Sequence, residues 1–323
     1  MSSKSAPKTL REAILFFADY ENCRKAVEAI RWPNGTVTCP TCGSDQVTYL
    51  ETQRRYKCYG KHPKAQFSLK VGTIFEDSAI GLEKWLPALW LLTNCKNGIS
   101  SYELARALGV TQKTAWFMLS RLRLALQSEH GGKMSGEVEC DETFIGGKAR
   151  NMHYAKRKRM GITRGKSMAG KVAVMGLLDR HGKDGVSQIR LARIPSNKRR
   201  HLMAHISTHV EAGSTIHTDS LPSYVALETD YIHNVIDHAE KYVDGEVHTN
   251  SVENFWSLLK RAIRGTYVSV EPFHLFRYLD EQAFRFNHRA GTDATRFALA
   301  LKGILNKRLT YTALTGSELP QTC

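Results

Sequence analysis

With 323 residues, 42% of them hydrophobic and 24% charged, the chain has the composition of a folded protein with room for two domains or three small ones, which excludes a disordered chain. No apolar run approaches the ~18–20 residues of a membrane span, and the opening MSSKSAPKTL has no apolar core or cleavage site, so a cytoplasmic protein with no membrane partner is expected. A net charge of +15 points to a polyanionic partner, because each phosphate neutralised by Lys or Arg releases a counterion.

In chain order, residues 8–30 read as one amphipathic helix with Leu10, Ile14, Phe17 and Val27 as apolar positions. Residues 31–72 are rich in turns and short strand-like pieces. A helix follows from Leu82 to Thr93, with Pro87 near its first turn or at a kink. Residues 100–127 read as two helices joined by a tight turn. After the glycine-rich HGGKMSG the pattern changes. EVECDETFIGG, KVAVMGLLDR and GVSQIRLARI read as strands, and the first two are separated by a basic segment, Lys148 to Lys171, that holds no acid. A helix over 197–211, a strand STIHTDS, a short helix at 221–229, a strand YIHNVID and helices near 251–264 and 273–287 complete the run. This order predicts an α/β fold, a mixed sheet with helices packed on its faces.

Seven cysteines, an odd and scattered set, argue against a disulfide framework. Cys39, Cys42, Cys58 and His62 stand apart in the pattern C-x2-C-x15-C-x3-H. Zinc takes four such ligands tetrahedrally, and pairs on tight turns lose little chain entropy in meeting it. A structural Zn²⁺ is expected there, holding a segment with little core of its own. The bland alternative is three unrelated cysteines and a turn at His62-Pro63.

ISSYELARALGVTQKTAWFMLSRLRLAL has the pattern of a helix-turn-helix. Ser100 and Glu103 form a capping box, Gly109 ends the first helix and Thr111 caps the second. Gln112, Lys113 and Thr114 then lie at the N-terminus of the second helix, where recognition helices meet base edges, with Arg121 and Arg123 further along. A helical hairpin used only for packing would share the pattern.

Three acids carry the chemistry. Asp141 lies within a strand, Asp219 ends another and Glu253 opens a helix. An acid on a buried strand is costly unless paired or bound to metal. Two such strands and a helix can bring three carboxylates together, a set of hard oxygen ligands suited to Mg²⁺ or Mn²⁺. On the helix, Val252, Phe255, Trp256, Leu259 and Ile263 form an apolar stripe. Glu253, Ser257, Lys260 and Arg264 lie on the other side, with Asn250 one turn earlier. The same acids read blandly as strand-end and helix-dipole residues.

The runs CPTCGS, FSLKVGTIFEDS, DETFIGGK, HTDS, HTNSVENFWSLLKRAIRGTY and HLFRYLDEQAFRFNHR resemble those of insertion-sequence transposases of the ISXO-two-like group, from about residue 15 to 300. The resemblance implies a ribonuclease-H-like catalytic domain with an Asp-Asp-Glu set and Mg²⁺. It also implies recognition of terminal inverted repeats, nicking of DNA and transfer of 3′ ends. It makes Asp141 the first acid and Asp219 the second. For the third, Asn250 and Glu253 are both present; Glu253 is preferred because Lys260 stands seven residues beyond it. Many members have two C-x2-C pairs, where this chain has Cys58 and His62. Lys156, Arg157, Lys158, Arg159 and Arg264 are expected on DNA phosphates, while Arg285, Asn287 and Arg289 are open between DNA contact and structure. His217, His233, His238 and His248 surround the second and third acids and read more often as structural; Trp256 reads as core.

The domain plan is an N-terminal helix at 1–30, a zinc ribbon at 31–75, a helix-turn-helix-like region at 76–130, a ribonuclease-H-like domain at 131–311 and a loose tail at 312–323. The partners expected are double-stranded DNA and further copies of the chain, since two DNA ends must meet, in a cytoplasmic, nucleoid-associated setting. A catalytically inactive DNA-binding regulator and a structure-specific nuclease of the same fold are the rival functions.

Overall fold

The computed structural model describes residues 6–127, 132–147, 152–159, 161–162, 170–182, 185–220, 222–236 and 248–316. The chain divides into two units, Met1–Gln127 with Gly291–Cys323, and Ser128–Ala290.

In the first unit the expected single N-terminal helix is two, α1 (Leu10–Phe17) and α2 (Tyr20–Arg31), because Asp19 takes extended backbone and its carboxylate accepts the Glu21 N–H. The break resets the buried face. Ala13 and Phe17 point inward, whereas Leu10 and Ile14, expected inside, are exposed. Strands β1 (Val47–Leu50), β2 (Arg55–Cys58) and β3 (Gln66–Phe67) form an antiparallel sheet. Tyr56 on β2 stacks on Phe67 and meets the edge of Trp32. Helix α3 (Leu82–Asn94) is apolar almost all round and supplies Trp85, Leu86, Leu89 and Trp90 to the core; Pro87 is inside it.

Helices α4 (Ser101–Leu108) and α5 (Gln112–Ala125) form the hairpin. Ser100 and Glu103 make the capping box, and Gly109 turns the chain at φ +59°. The C-terminal half of α5 is buried, Arg121 and Arg123 included. Arg121 donates to the carbonyls of Ile74 and Glu76. Those two arginines, read as lying along a recognition helix, are therefore structural.

The second unit is a five-stranded sheet in the order β6-β5-β4-β7-β8. Here β4 (Glu137–Ile145), β5 (Val172–Asp179) and β6 (Gln188–Ile194) run antiparallel, while β7 (Thr215–Asp219) and β8 (Ile232–Ile236) run parallel to β4. This is the expected mixed α/β sheet. The short α6 (Tyr154–Arg159) lies in the basic segment between β4 and β5. Strand β5 is buried on both faces, as a continuous apolar run requires. Ala173, Met175 and Leu177 meet Leu202 and Ile206 of α7 (Arg199–His209), together with Tyr224 and Leu227 of the short helix at Pro222–Thr229. Val174 and Leu178 meet Val252, Phe255, Trp256 and Leu259 of α8 (Asn250–Ala262), with Leu275 and Leu279 of α9 (Leu275–Asn287) behind them.

Helix α10 (Asp293–Lys302) and the short α11 (Tyr311–Thr315) return to the first unit, where Phe297 packs between Phe17 and Trp90 at 5.2 Å from each. This differs from the expected span 131–311, which ran the sheet domain through α10. A helix also occupies the start of the tail expected to be loose at 312; residues 317–323 lie outside those described. No described helix is long and apolar enough to cross a membrane.

Candidate active site and zinc cluster

The parallel register of β4 and β7 pairs Glu137 with Thr215, Val138 with Ile216 and Glu139 with His217. Two residues further along each strand stand Asp141 and Asp219, level with one another and on the same face of the sheet. Helix α8 lies across that face and brings Glu253. The indole N–H of Trp256 donates to Asp141 Oδ2 at 2.8 Å, and the Glu142 N–H donates to Oδ1 at 2.7 Å. Burial, followed by the charges of Asp219 and Glu253, outweighs these donors and pushes the Asp141 carboxyl up to about 6.

A cavity of 610 Å³ opens here, lined by Asp141, Glu142, Glu253, Trp256, Ser257, Lys260 and Arg264 among others. Glu253, Ser257, Lys260 and Arg264 thus share one face of α8, as their spacing predicts. Asn250 is exposed at the first position of α8 and is not among the lining residues. The acids come from two strands and a helix, with Lys260 and Arg264 further along the helix face that carries Glu253. Asp219 is not among the cavity's lining residues but acts on Asp141 through its charge, so the three form a set of hard oxygen donors in mutual repulsion. Divalent cations such as Mg²⁺ or Mn²⁺ fit that donor set. The carboxylates are spread more widely than the zinc ligands described below.

Two features of the site were not legible from spacing. Trp256 is core, as read, but it also orients Asp141. It comes this close because Gly176, paired with Asp141 across β4 and β5, has no side chain; a Cβ there would stand 2.7 Å from the indole ring. The second feature is a lock on the start of α8. Glu139 is fully buried on the Asp141 face of β4. Its Oε2 accepts the Val252 N–H at 2.9 Å, one of the helix's unpaired first-turn donors, and its Oε1 accepts Arg180 Nε at 2.8 Å. Arg180 also bonds Glu137 at 2.9 Å and the His248 carbonyl at 2.6 Å. The signal was present in the sequence: Glu137, Glu139 and Asp141 alternate along one strand face, which demands a buried cation.

His248 belongs to this lock, with Nδ1 3.0 Å from Arg180 and 3.3 Å from Glu139. His217 lies 3.5 Å from Glu137, and burial holds its imidazole below the usual range. His233 meets Thr218 Oγ1 at 2.8 Å. His238 lies outside the described residues. Glu142 is half-buried beside Tyr224, and desolvation pushes its carboxyl up to about 8 against the opposing Tyr224 hydroxyl.

Of the residues expected on DNA, Lys113 is exposed at the start of α5, whereas Gln112 donates to Ser101 Oγ at 2.8 Å and Thr114 lies 2.9 Å from the capping Thr111 hydroxyl. Lys158 and Arg159 are exposed on α6 and Arg157 is half-buried; the Lys156 side chain lies outside the described residues. Arg285 and Asn287 are structural, while Arg289 is exposed. Arg285 is buried against Glu281, Asn287 makes two hydrogen bonds to the Ile189 backbone on edge strand β6, and Arg289 donates to Ser187.

In the first unit, Cys39, Cys42, Cys58 and His62 place their ligand atoms within 4.8 Å of one another. Cys39 Sγ is 3.4 Å from His62 Nε2, and Cys42 Sγ is 3.6 Å from Cys58 Sγ. The Thr41 and Gly60 amides donate to Cys39 and Cys58 sulfurs at 3.4 and 3.3 Å, as they would to thiolates. A Cβ at Gly60 would stand 2.9 Å from Cys42 Sγ, so the cluster closes tightly around its centre. The donor set is that of a structural Zn²⁺ site.

Residues 133–287 match the ISXO2-like transposase domain, and residues 19–60 match the transposase zinc-ribbon domain. An "uncharacterized protein in transposable element ISH50" of Halobacterium salinarum is 29% identical over 255 residues, covering 76% of this chain and 83% of that protein. An "uncharacterized transposase-like protein" of Haemophilus influenzae is 27% identical over 96 residues, covering 29% of this chain and 77% of that protein. A chain of a simian T-cell lymphotropic virus intasome in complex with PP2A regulatory subunit B56 gamma overlays 62% of this chain and 68% of its own, at a TM-score of 0.30 and 12% identity, a likeness too slight to bear on function.

Proposed function

For a chain that belongs to the ISXO2-like transposases, we propose metal-dependent cleavage of DNA at the terminal inverted repeats of an insertion sequence, followed by transfer of the cut 3′ ends to a target. The observation that supports this reading is that Asp141, raised first by burial and then by the charges of Asp219 and Glu253, shares a cavity with Glu253, Lys260 and Arg264. Asp141, Asp219 and Glu253 would hold Mg²⁺ or Mn²⁺. Bound there, such ions supply the charge that activates a water or a 3′-hydroxyl and offsets the developing charge on the leaving oxygen. Trp256 keeps Asp141 in one orientation, and the Glu139–Arg180 lock keeps Glu253 in register with it. Lys260 and Arg264 hold the phosphate. Glu253 is preferred to Asn250 as the third ligand because it lines the cavity with Asp141.

The zinc ribbon and the exposed Lys113, Lys158 and Arg159 are offered to double-stranded DNA outside the cavity. Two ends must be held at once, so the active assembly is expected to contain more than one chain. Replacing Asp141 or Asp219 by Ala should abolish nicking of a labelled terminus in Mg²⁺ and leave end-binding nearly intact. If both variants still nick, the assignment is wrong.

A further inference from the structure

Beside the acidic cavity lies a second one of 290 Å³, and the two share Lys260 and Arg264. Its chemistry is different, with hydrocarbon from Ile263, Val268 and Val270 and a hydroxyl from Ser269. The backbone around it is irregular. Helix α8 runs out into a π-helical turn, Ile263–Tyr267, a geometry that collects at functional places. Val268 follows at φ +63° and ψ −53°, a conformation that β-branched residues avoid. Its side chain is 77% exposed, so burial does not account for the strain. Strain of this kind persists where it serves a ligand. Gly147 also lines the cavity, and among the described residues a Cβ there would meet nothing within 4 Å.

We propose that this second cavity receives one nucleobase, unstacked from the DNA end beside the phosphate being cut; the proposal rests on the function argued above. Lys260 and Arg264 line both cavities, so a phosphate held by them lies at their shared edge, with the acids on one side and, a sugar's length away on the other, the hydrocarbon wall within reach of the attached base. A base offers flat faces to Ile263 and Val268 and a hydrogen-bonding edge to Ser269. At 290 Å³ the space is at the small end of ligand sites, which suits a single base. A duplex can fill such a cavity only by extruding a nucleotide, and extrusion costs least at an end or a nick. Every base has stackable faces, so the site tolerates any sequence at that position.

The test uses the full chain and a duplex bearing the element's own terminal repeat, with 2-aminopurine placed in turn at the three nucleotides on either side of the mapped cut and Ca²⁺ in place of Mg²⁺. Binding should raise fluorescence several-fold at one position. Val268→Gly removes the side chain and relieves the backbone, so it should keep or raise the melting temperature while returning that signal to the level of free duplex. Gly147→Phe, which fills the cavity from a position with open space, should do the same. Absence of a rise at every position, with the duplex bound and cut in Mg²⁺, overturns the proposal. A rise undiminished in both variants overturns it too. Failure of the wild-type chain to cut the duplex in Mg²⁺ would instead strike the transposase reading.

Discussion

The contact between Gly176 and Trp256 allows a prediction with a length in it. In Gly176→Ala the added Cβ would stand 2.7 and 2.8 Å from two indole carbons and 3.3 Å from Val252 Cγ2. Ordinary contact begins at 3.4 Å, so the ring must retreat by about 0.7 Å. The retreat is away from the sheet, and so away from Asp141 on the adjacent strand. A 2.8 Å hydrogen bond lengthened by that amount reaches about 3.5 Å and ceases to hold the carboxylate. Overpacking of a filled core costs about 1–3 kcal/mol, and misplacement by about 1 Å at a reacting centre costs up to about 100-fold in rate. Gly176→Ala should therefore lower the melting temperature by a few degrees and slow single-turnover cleavage of a labelled terminus by roughly 10- to 100-fold, with end-binding unchanged. A variant with wild-type rate and melting temperature would refute the coupling of Gly176, Trp256 and Asp141.

Other consequences are open to measurement. Asp141 has a folded pKa of about 6 against an ordinary 3.8, so the folded chain keeps a proton there that the unfolded chain gives up; without added Mg²⁺, stability should fall as the pH rises from about 4 to about 6. Asp141→Asn should remove that fall, melting above wild type at pH 7 and near it at pH 4, as thermal scans across pH would record; equal pH profiles would count against it. Thiol-specific release with a colorimetric zinc dye should yield one Zn²⁺ per chain, with none from Cys58→Ala and one from His62→Cys. Phe297→Ala should cost about 3–5 kcal/mol in the unit that holds Phe17 and Trp90, read from chemical denaturation. Lys113→Ala should weaken binding to specific and random duplex alike and reduce the slope of log affinity against log salt by about 1, whereas Lys113→Arg should leave that slope unchanged.

Much of the sheet unit could be read directly. Alternation along residues 137–145 and 215–219 marks strands, and an acid within the first and another at the end of the second are costly unless a metal or an ion pair offsets them. Helical spacing sets Glu253, Ser257, Lys260 and Arg264 on one face, and the fold uses that face. What escaped depends on contacts between residues distant in sequence. Nothing local to Arg180 tells that it sits under α8 by way of Glu139. Arg285 and Asn287 have the composition of a DNA-facing helix end, yet one answers Glu281 and the other covers the open edge of β6. Arg121 and Arg123 follow the same rule: an arginine on a helix is exposed by default, and only the surrounding carbonyls reveal a buried one. The break between α1 and α2 was legible in principle, since Asp19 before Tyr20-Glu21 has the form of a cap.

The first unit is written in two pieces of chain, one before the sheet unit and one after it. Phe297, which packs between Phe17 and Trp90, is synthesised only after residues 128–290. A nascent or truncated product ending before Gly291 would carry the zinc ligands and the helical hairpin around an unfinished core. Completion of that unit therefore waits on synthesis of the whole sheet unit lying between its two pieces.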